Sequence, residues 1–515
     1  MILTLCLVPL IGAVGSAALA SARRSGSRGA SLARPLALAF ALATLVLAIV
    51  AAVRFDPDGT AGSGRFQETY DVDWISRIGV HLALGLDGMA LLLVLLTAAL
   101  VPIVMLTAWR THAGGWFAWA LALESFALVV FSATDVFLFY VFFEATLIPA
   151  YFMIGGYGDA HRAGRRSLAA LKFLMYQLGG GLVLLGGVIG LFAVQSAHGA
   201  PSYLLADLQH LDIGTVAGRW IFVAFFIGFA VKAPLFPFHT WLADTSESAT
   251  PQTSVLLVCV LDKIGTFGML RFCLGMLPEA SAWATPVVVT LCLISIVYGA
   301  FLAIGQDDLL RLIGLTSLSH FGLIALGIFV LTPRGGGSTE GASGAILYMV
   351  NHGVATAAMF LVAAHLVQRR GTASIRAIRG VEQSAPVLAG LLLVAGLATA
   401  GLPGLSQFVS EILVLIGAFA YHWWVGAIAV TAVVLAAIYV LWMYQRTMTG
   451  PPGGLDTSPS GSAHPTGVGV IETTADLTRT EVAILAPLMI ALVLFGFYPA
   501  PLLDLANPVI AAVAR

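Results

Sequence analysis

Long apolar segments, separated by short polar ones, recur along almost the whole chain. Each is about 18 residues or longer, enough for a helix to cross the hydrocarbon core of a bilayer. We predict about fourteen transmembrane helices, at residues 2–20, 34–53, 87–108, 116–133, 135–155, 168–194, 219–238, 253–276, 283–304, 309–331, 344–367, 385–419, 423–445 and 482–503. The predicted fold class is therefore an all-α polytopic membrane protein.

Two of these segments are interrupted by residues that break helices. The seventh contains FAVKAPLFPFH, with Pro234 and Pro237, and the twelfth contains ATAGLPGLSQFVSE, with Gly401, Pro403 and Gly404. Because the two lie five spans apart, they would run in opposite directions through the membrane. Interrupted helices in matching positions of two halves indicate an inverted repeat with an ion site at the midplane. We expect two inverted five-helix repeats, formed by spans 4–8 and 9–13.

This organisation divides the chain into five parts, which differ in their position relative to the repeats. They are an N-terminal three-helix part (1–110), the first five-helix repeat (111–278), the second five-helix repeat (279–448), a flexible cytoplasmic loop (449–481) and a C-terminal helix (482–515). The loop is predicted from its high content of glycine, proline, serine and threonine between Gly450 and Asp476.

Positive charges in the loops indicate the orientation. Arginines are more numerous in the loops that lie in the cytoplasm when both termini are outside, among them Arg23, Arg24, Arg165 and Arg166. Fewer fall on the outer side, where Arg271 is expected. No positive charge precedes the first apolar segment, so we predict a retained first helix in place of a cleaved signal peptide. Both termini are therefore expected on the outer side.

Composition removes several classes of function. The 515 residues are 59% hydrophobic and 10% charged, and the mean hydropathy is +0.95. The net charge of −1 gives no electrostatic basis for binding nucleic acid. The cysteines (Cys6, Cys259, Cys273 and Cys292) lie in apolar segments without metal-ligand spacing, so we expect no disulfide, zinc site or iron–sulfur cluster. The glycine-rich run between 179 and 187 lies inside a predicted helix and indicates close helix packing.

The choice between lysine and arginine adds a functional signal. Only three of the 25 basic residues are lysines. Lys172 lies near the start of a span, where its side chain would reach the cytoplasmic surface without a chemical role. Lys232 and Lys263 lie within apolar helices. Arginine keeps its proton inside proteins, whereas a lysine removed from water can release it. Two lysines at membrane depth therefore indicate proton transfer.

Glu144, in DVFLFYVFFEATLIPAYF, is the carboxylate expected to pair with Lys232. A charge at the bilayer centre costs about 2.5–3.5 kcal/mol on insertion scales, so each such residue requires an explanation. One interpretation is an ion pair that opens and closes, so that Lys232 gains and loses its proton. The alternative is a static pair that fixes helix packing. We favour the first, because a static pair could equally use arginine.

Further titratable groups lie at mid-span depth. Lys263, in SVLLVCVLDKIGTFGMLRF, and His320, in LTSLSHFGLIAL, can form a relay of two groups that both titrate near neutrality. His352, in YMVNHGVATAAMF, is a similar candidate, although a lone membrane histidine can simply hydrogen-bond a neighbouring helix. Glu411 follows the break at Pro403 by about two helical turns. It is either a terminal proton carrier, which we favour, or a partner for a neighbouring chain.

Other polar residues are less certain candidates. Those near span ends or less certain in depth are Glu124, Asp135, Asp262, His365 and, among the residues above, His352. His239 and Asp244 follow the broken seventh helix. They either guard a cytoplasmic entry or cap the helix end and loop.

The motifs around these residues resemble one family in their order and spacing. They are FYVFFEATLIPAYFMIG around Glu144, FAVKAPLFPFHTWLAD around Lys232, LDKIGTFGMLRF around Lys263, SLSHFG around His320, NHGVATAAMFL around His352 and GLPGLSQFVSEILVL around Glu411. Together they resemble the antiporter-like membrane subunits of respiratory complex I. The bacterial enzyme has three types, L, M and N. A glutamate in the twelfth span, without the extra C-terminal spans and lateral helix of the L type, is similar to the M type.

The resemblance implies a proton-translocating subunit of NADH:quinone oxidoreductase in a bacterial cytoplasmic membrane. It implies that Glu144 and Lys232 form the coupling pair. Lys263 would be the central carrier, with His320 and His352 nearby, and Glu411 would lie on the terminal path. FMN, iron–sulfur clusters and quinone would belong to other subunits, and this chain would hold no cofactor. The implied partners are the neighbouring antiporter-like subunits of a hetero-oligomer, and lipid.

One departure from the family concerns the loop after the broken seventh span. The family often has PDAH after HTWL, whereas this chain has Ala243, Asp244, Thr245 and Ser246. The missing histidine weakens the case that this loop takes part in proton entry.

Three alternatives stay open from the sequence. A subunit of an Mrp-type cation/proton antiporter shares most of these residues, and Glu411 in place of lysine argues against it only moderately. A membrane hydrogenase subunit is not excluded by them either. A purely structural scaffold predicts that neutralising Glu144, Lys232 and Lys263 changes only assembly.

Overall fold

The computed structural model describes residues 1–21, 29–57, 66–158, 163–199, 201–209, 211, 213–331, 338–450 and 474–514. Within this part of the chain, 13 helices are long and apolar enough to cross a membrane. Arg23, Arg24 and residues 451–473 of the predicted flexible loop lie outside the described residues. The predicted fold class, an all-α polytopic membrane protein, is confirmed.

The helices are numbered here in chain order. They are α1 (Ile2–Ser21), α2 (Gly29–Arg54), α3 (Gly88–Ala108), α4 (Gly114–Ser132), α5 (Val136–Ala145), α6 (Leu147–Tyr157), α7 (Ala163–His198), α8 (Leu205–Leu208), α9 (Thr215–Lys232), α10 (Thr240–Ser248), α11 (Pro251–Leu274), α12 (Pro278–Ile304), α13 (Leu309–Phe329), α14 (Thr339–Arg370), α15 (Val381–Ser384), α16 (Pro386–Thr399), α17 (Ser406–Tyr421), α18 (Trp423–Met448), α19 (Arg479–Phe497) and α20 (Ala500–Val513).

Two predicted spans each correspond to two helices in the structure. The segment 385–419, predicted as an interrupted span, consists of α16 and α17. The last predicted span ran to residue 503, but α19 ends at Phe497 and a separate helix begins at Ala500. Pro499 accounts for this end, because a proline disfavours helical geometry at the residue before it.

A β-hairpin lies between α2 and α3, where the sequence predicted no membrane span. Strands β1 (Gln67–Ile75) and β2 (Val80–Leu86) pair antiparallel, and a short 3-10 turn joins them. The alternation of Tyr70, Val72 and Trp74 with polar residues is a strand signal that the search for apolar spans overlooked.

The two proline- and glycine-containing segments set where the functional side chains lie. Helix α9 ends at Lys232, and α10 begins only at Thr240. Helix α16 ends at Thr399, and α17 begins at Ser406. Prolines just beyond a helix end cannot continue its hydrogen bonding, which explains the first interruption. Gly401 has φ of 69° in the second one, a conformation that favours glycine. The inverted repeat and the five-part division stay predictions.

Helix α11 is irregular around its lysine. The segments Leu257–Leu261 and Met269–Leu274 are π-helical, and the α-helical turn Asp262–Gly268 lies between them. Such π segments occur frequently at functional sites, because they change the direction in which side chains project. Lys263 lies in the central turn and is wholly buried.

Small residues allow α7 and α9 to pack closely. A side-chain carbon at Gly180 would lie 2.9 Å from Val231, and one at Gly187 would lie 2.8 Å from Phe225. The glycine-rich run therefore packs α7 against another helix, as expected. All four cysteines are buried and free.

Candidate functional site

Lys232 is the last residue of α9, and its amine reaches the junction between α5 and α6. It donates hydrogen bonds to Thr146 Oγ1 at 2.9 Å and to the carbonyl oxygen of Phe143 at 3.3 Å. The amine also lies 4.4 Å from the centroid of the Phe143 ring, which favours a cation. The side chain is only 1% exposed. The junction therefore provides polar partners for a buried ammonium group.

Glu144 lies two residues before Thr146, and its carboxylate is directed elsewhere. The carboxylate packs against Gly181 of α7, and its Oε1 atom has no hydrogen-bond partner among the described residues. Within that part of the chain, Glu144 and Lys232 form no direct ion pair. Residues two apart on a helix do not face the same side, which explains the divergence. A static ion pair between them is therefore absent from this structure.

Lys263 contacts a histidine of α14. Its amine lies 2.6 Å from His352 Nδ1 and 4.3 Å from the centroid of the Phe321 ring. From the sequence, His320 was the expected partner of Lys263. In the structure His352 lies between them in the series, and the His320 and His352 rings lie 5.2 Å apart, centroid to centroid.

Two tyrosines contact His320, and one of them also reaches Glu411. The Tyr348 hydroxyl lies 2.7 Å from His320 Nδ1 and donates to Glu411 Oε1, also at 2.7 Å. The Tyr439 hydroxyl lies 3.1 Å from His320 Nε2. Both tyrosines are buried. Lys263, His352, His320, Tyr348 and Glu411 thus form a row of neighbouring buried side chains, named here the central series. Hydrogen bonds join its members except His352 and His320, whose rings lie side by side.

The sequence analysis did not select either tyrosine. Tyr348 precedes His352 by four residues in α14, and this spacing places the two side chains on one face of the helix. That spacing is the signal that could have identified Tyr348. Tyr439 lies far along the chain in α18, and no local pattern connects it with His320.

Glu411 lies in α17 and is only 3% exposed. Its carboxylate fits against Gly401, where a side-chain carbon would overlap with the Oε2 atom. The carboxylate is therefore directed into the chain and toward Tyr348, which supports a carrier over a partner for a neighbouring chain.

The less certain candidates lie outside the central series. Glu124 is fully buried, and neither of its carboxylate oxygens has a hydrogen-bond partner among the described residues. Asp135 caps α5 by accepting from the backbone amide of Leu138. Asp262 precedes Lys263, and its Oδ2 atom has no hydrogen-bond partner among the described residues. His365 Nδ1 lies 3.3 Å from Glu481 Oε1.

A polar network follows the broken seventh span. Asp244 accepts hydrogen bonds from Lys172 at 2.7 Å and from Arg311 at 2.9 Å. Arg311 also donates to Glu247 at 2.9 Å. Partial burial opposes ionisation of Asp244, but the two cations hold the pKa of its carboxyl below the usual range. Lys172 therefore neutralises a carboxylate in this network. The nearby His239 packs its ring against Tyr298.

Arg271 lies in the second π segment of α11 and is buried, although the sequence analysis placed it among the outer loop charges. It donates two hydrogen bonds to the Asp87 carboxylate, at 2.5 and 2.8 Å. Asp87 also caps the start of α3. Tertiary contacts bury this charge at the end of the span, among them the Phe66 ring, whose centroid lies 5.1 Å from the guanidinium carbon. Its placement on the outer side stays a prediction.

We expect Arg271→Met to lower the stability of the assembled protein strongly. The substitution leaves the Asp87 carboxylate buried without its cation, which costs about 3–5 kcal/mol. The measurement is the amount and thermal stability of the intact complex on a native gel. Arg219→Met, at an exposed arginine, is the control and should change little.

A second variant separates the charge effect from loss of side-chain volume. Asparagine caps helices as well as aspartate does, so adding Asp87→Asn to Arg271→Met removes the uncompensated charge and keeps the cap. This double variant should recover part of the stability. Normal assembly of Arg271→Met alone would show that the pair is dispensable.

The fold and its buried charged groups define a polytopic helical membrane protein of the antiporter-like class. The sequence model described as "NADH:quinone oxidoreductase/Mrp antiporter, TM" matches residues 133–436. NADH-quinone oxidoreductase subunit M of Mycobacterium tuberculosis (strain ATCC 25618 / H37Rv) is 42% identical, over 98% of this chain and 92% of the relative. The chain belongs to the family of NADH-quinone oxidoreductase M subunits, and the resemblance stated from the motifs is confirmed.

Solved structures agree with this assignment. A chain in the structure "Respiratory complex I from Thermus thermophilus with bound NADH" matches with a TM-score of 0.84 and 31% identity, covering 100% of both chains. A chain of the Mrp complex from Dietzia sp. DQ12-45-1b matches with a TM-score of 0.83 and 19% identity, covering 99% of this chain and 98% of that one. At that identity the second match shows a shared fold alone.

Proposed function

We propose that this chain is the M-type proton-translocating membrane subunit of a bacterial NADH:quinone oxidoreductase. The observation that carries the proposal is the central series, a row of buried neighbours from Lys263 to Glu411 that are joined by hydrogen bonds and, between His352 and His320, by a ring contact. Each member can gain or lose a proton or pass one on. Charged and titratable groups at membrane depth are costly, so a continuous series of them favours transport over packing.

Lys232 and Glu144 form the coupling element of this proposal. A change in a neighbouring subunit moves the Glu144 carboxylate toward or away from Lys232, which changes the charge at the α5–α6 junction. That charge alters the proton affinity of Lys263, and a proton leaves by way of Glu411. Moving one charge outward against 100 mV costs about 2.3 kcal/mol, which the redox reaction elsewhere in the complex must supply.

The proposed setting is a hetero-oligomer in the bacterial cytoplasmic membrane. The neighbouring antiporter-like subunits L and N are its partners, lipid covers its remaining outer surface, and both termini lie on the outer side. NADH oxidation and quinone reduction take place in other subunits, which hold the FMN, the iron–sulfur clusters and the quinone. The Mrp antiporter is the second candidate, and neighbouring genes for NADH dehydrogenase or for antiporter subunits discriminate between the two.

The proposal is tested by comparing Lys263→Ala with His352→Ala in NADH-driven proton pumping by membrane vesicles. Lys263→Ala removes the central carrier and should reduce pumping by roughly tenfold or more, equivalent to about 1.4 kcal/mol of lost stabilisation. His352→Ala should be milder, because Lys263 and the neighbouring ring of His320, 5.2 Å from the His352 ring between centroids, both keep their places.

His365→Ala is the matched control, since His365 lies in the same helix but outside the central series. It should pump normally. An equal loss in Lys263→Ala and His352→Ala would contradict this ranking. Normal pumping in Lys263→Ala, with intact complex on a native gel, would contradict the proposed function itself.

A further inference from the structure

Tyr348 occupies an unusual place between a titratable ring and a carboxylate. Its hydroxyl lies 2.7 Å from His320 Nδ1 and 2.7 Å from Glu411 Oε1. All three side chains are buried, with Tyr348 wholly so. Among the described residues, Tyr348 is the side chain that hydrogen-bonds both His320 and Glu411.

The number of available protons determines which of these atoms donate hydrogen bonds and which accept them. A phenol has one proton to donate and can accept another hydrogen bond. When Tyr348 donates to the Glu411 carboxylate, its oxygen accepts from His320 Nδ1–H. The neutral ring then has no proton on Nε2, which accepts from the Tyr439 hydroxyl at 3.1 Å. Every hydrogen-bonding atom of the His320 ring is satisfied in this state.

We propose that Tyr348 passes the proton from His320 to Glu411, and that Tyr439 is a positioning residue for the His320 ring. This inference rests on the proposed function. A proton arriving at His320 Nε2 makes the ring cationic and turns Tyr439 from donor to acceptor. Nδ1 then releases its proton to the Tyr348 oxygen while the Tyr348 O–H bond breaks and its proton bonds to Glu411 Oε1.

This step balances in atoms and charge. Before it, His320 carries one positive charge and Glu411 one negative charge; after it, both are neutral. Tyr348 has one proton before and after, so no tyrosinate accumulates. The hydrogen bonds of Tyr348 are reversed, because its new hydroxyl proton now points to Nδ1 and the protonated Glu411 donates to its oxygen. Glu411 then holds the proton that must leave.

Tyr348→Phe tests the step, because it keeps the ring and removes only the hydroxyl. We expect NADH-driven pumping in membrane vesicles to fall about tenfold, with intact complex on a native gel. Tyr439→Phe should be milder, since Nδ1, Tyr348 and Glu411 keep their contacts. Pumping at the wild-type rate in Tyr348→Phe would overturn the inference. The proposed function has its own test, and it would still stand if Lys263→Ala fails to pump.

Incorporation of a fluorinated tyrosine at position 348 gives a second measurement. It preserves the shape and the hydroxyl but makes the hydroxyl more acidic, so the pH profile of pumping should shift. A residue that only fills space or holds the helices together would leave this profile unchanged, and an unchanged profile would overturn the inference. This variant decides the question even if Tyr348→Phe does not assemble.

Discussion

Lys232→Arg is expected to abolish most NADH-driven proton pumping although the positive charge is kept. Arginine does not release its proton inside a protein, so the α5–α6 junction would carry a permanent charge. The bulkier guanidinium must also replace a compact amine between Thr146 Oγ1 and the Phe143 carbonyl. We expect pumping to fall to about a tenth or less of wild type, close to the effect of Lys232→Ala. The measurement is pumping by membrane vesicles together with a native gel.

Lys172→Arg is the matched control for the same chemical change. Lys172 pairs with the partly exposed Asp244, and arginine can make that pair equally well. Its pumping should remain close to wild type. Survival of pumping in Lys232→Arg would mean that Lys232 supplies only a fixed charge. The proton path would then have to be sought around Lys263 and Glu411 without a contribution from Lys232.

Much of the fold could be predicted because the bilayer imposes a simple rule. A spanning segment must satisfy its own backbone hydrogen bonds, so a long apolar run in a membrane becomes a helix. The hydrophobic pattern therefore located the spans well. It missed the β-hairpin, whose strands are short and alternate with polar residues, and the π segments of α11, which depend on packing and leave no period in the sequence.

The sequence also identified most of the buried charged and titratable groups, because their cost in an apolar segment makes them conspicuous. Lys232, Lys263 and Glu411 were selected in this way. Their partners were harder to predict, since a contact between helices depends on rotation and depth that one sequence does not encode. His352 proved to be the direct neighbour of Lys263. A tyrosine carries no charge and is far less costly than a lysine or glutamate in an apolar segment, so Tyr348 and Tyr439 gave no comparable signal.

The positions of the two glutamates share one physical feature. Glu144 fits against Gly181, and Glu411 fits against Gly401; in both places a side-chain carbon would overlap with a carboxylate oxygen. Each carboxylate therefore occupies space that is free only because the neighbouring residue is a glycine. For Glu144 this space lies against α7, away from Lys232. When the carboxylate is in it, the proposed coupling pair is separated.

Gly181→Ala is therefore expected to disturb pumping nearly as much as Glu144→Gln. The added methyl group would overlap with Glu144 Oε1, and α7 cannot move away freely because Gly180 packs against Val231 of α9. The carboxylate must leave its space, so the coupling pair loses its separated state. We expect pumping to fall by about tenfold in vesicles containing intact complex. Glu144→Gln removes the charge itself and should abolish most pumping.

Gly186→Ala is the control on the same helix. A side-chain carbon at Gly186 has no neighbour within 4 Å among the described residues. Both substitutions raise helix propensity by the same roughly 1 kcal/mol. A difference in pumping between the two variants therefore reports on the displaced carboxylate. Gly186→Ala should pump normally. If Gly181→Ala pumps equally well, the position of Glu144 against α7 is not required for turnover, and coupling must depend on another arrangement of Glu144 and Lys232.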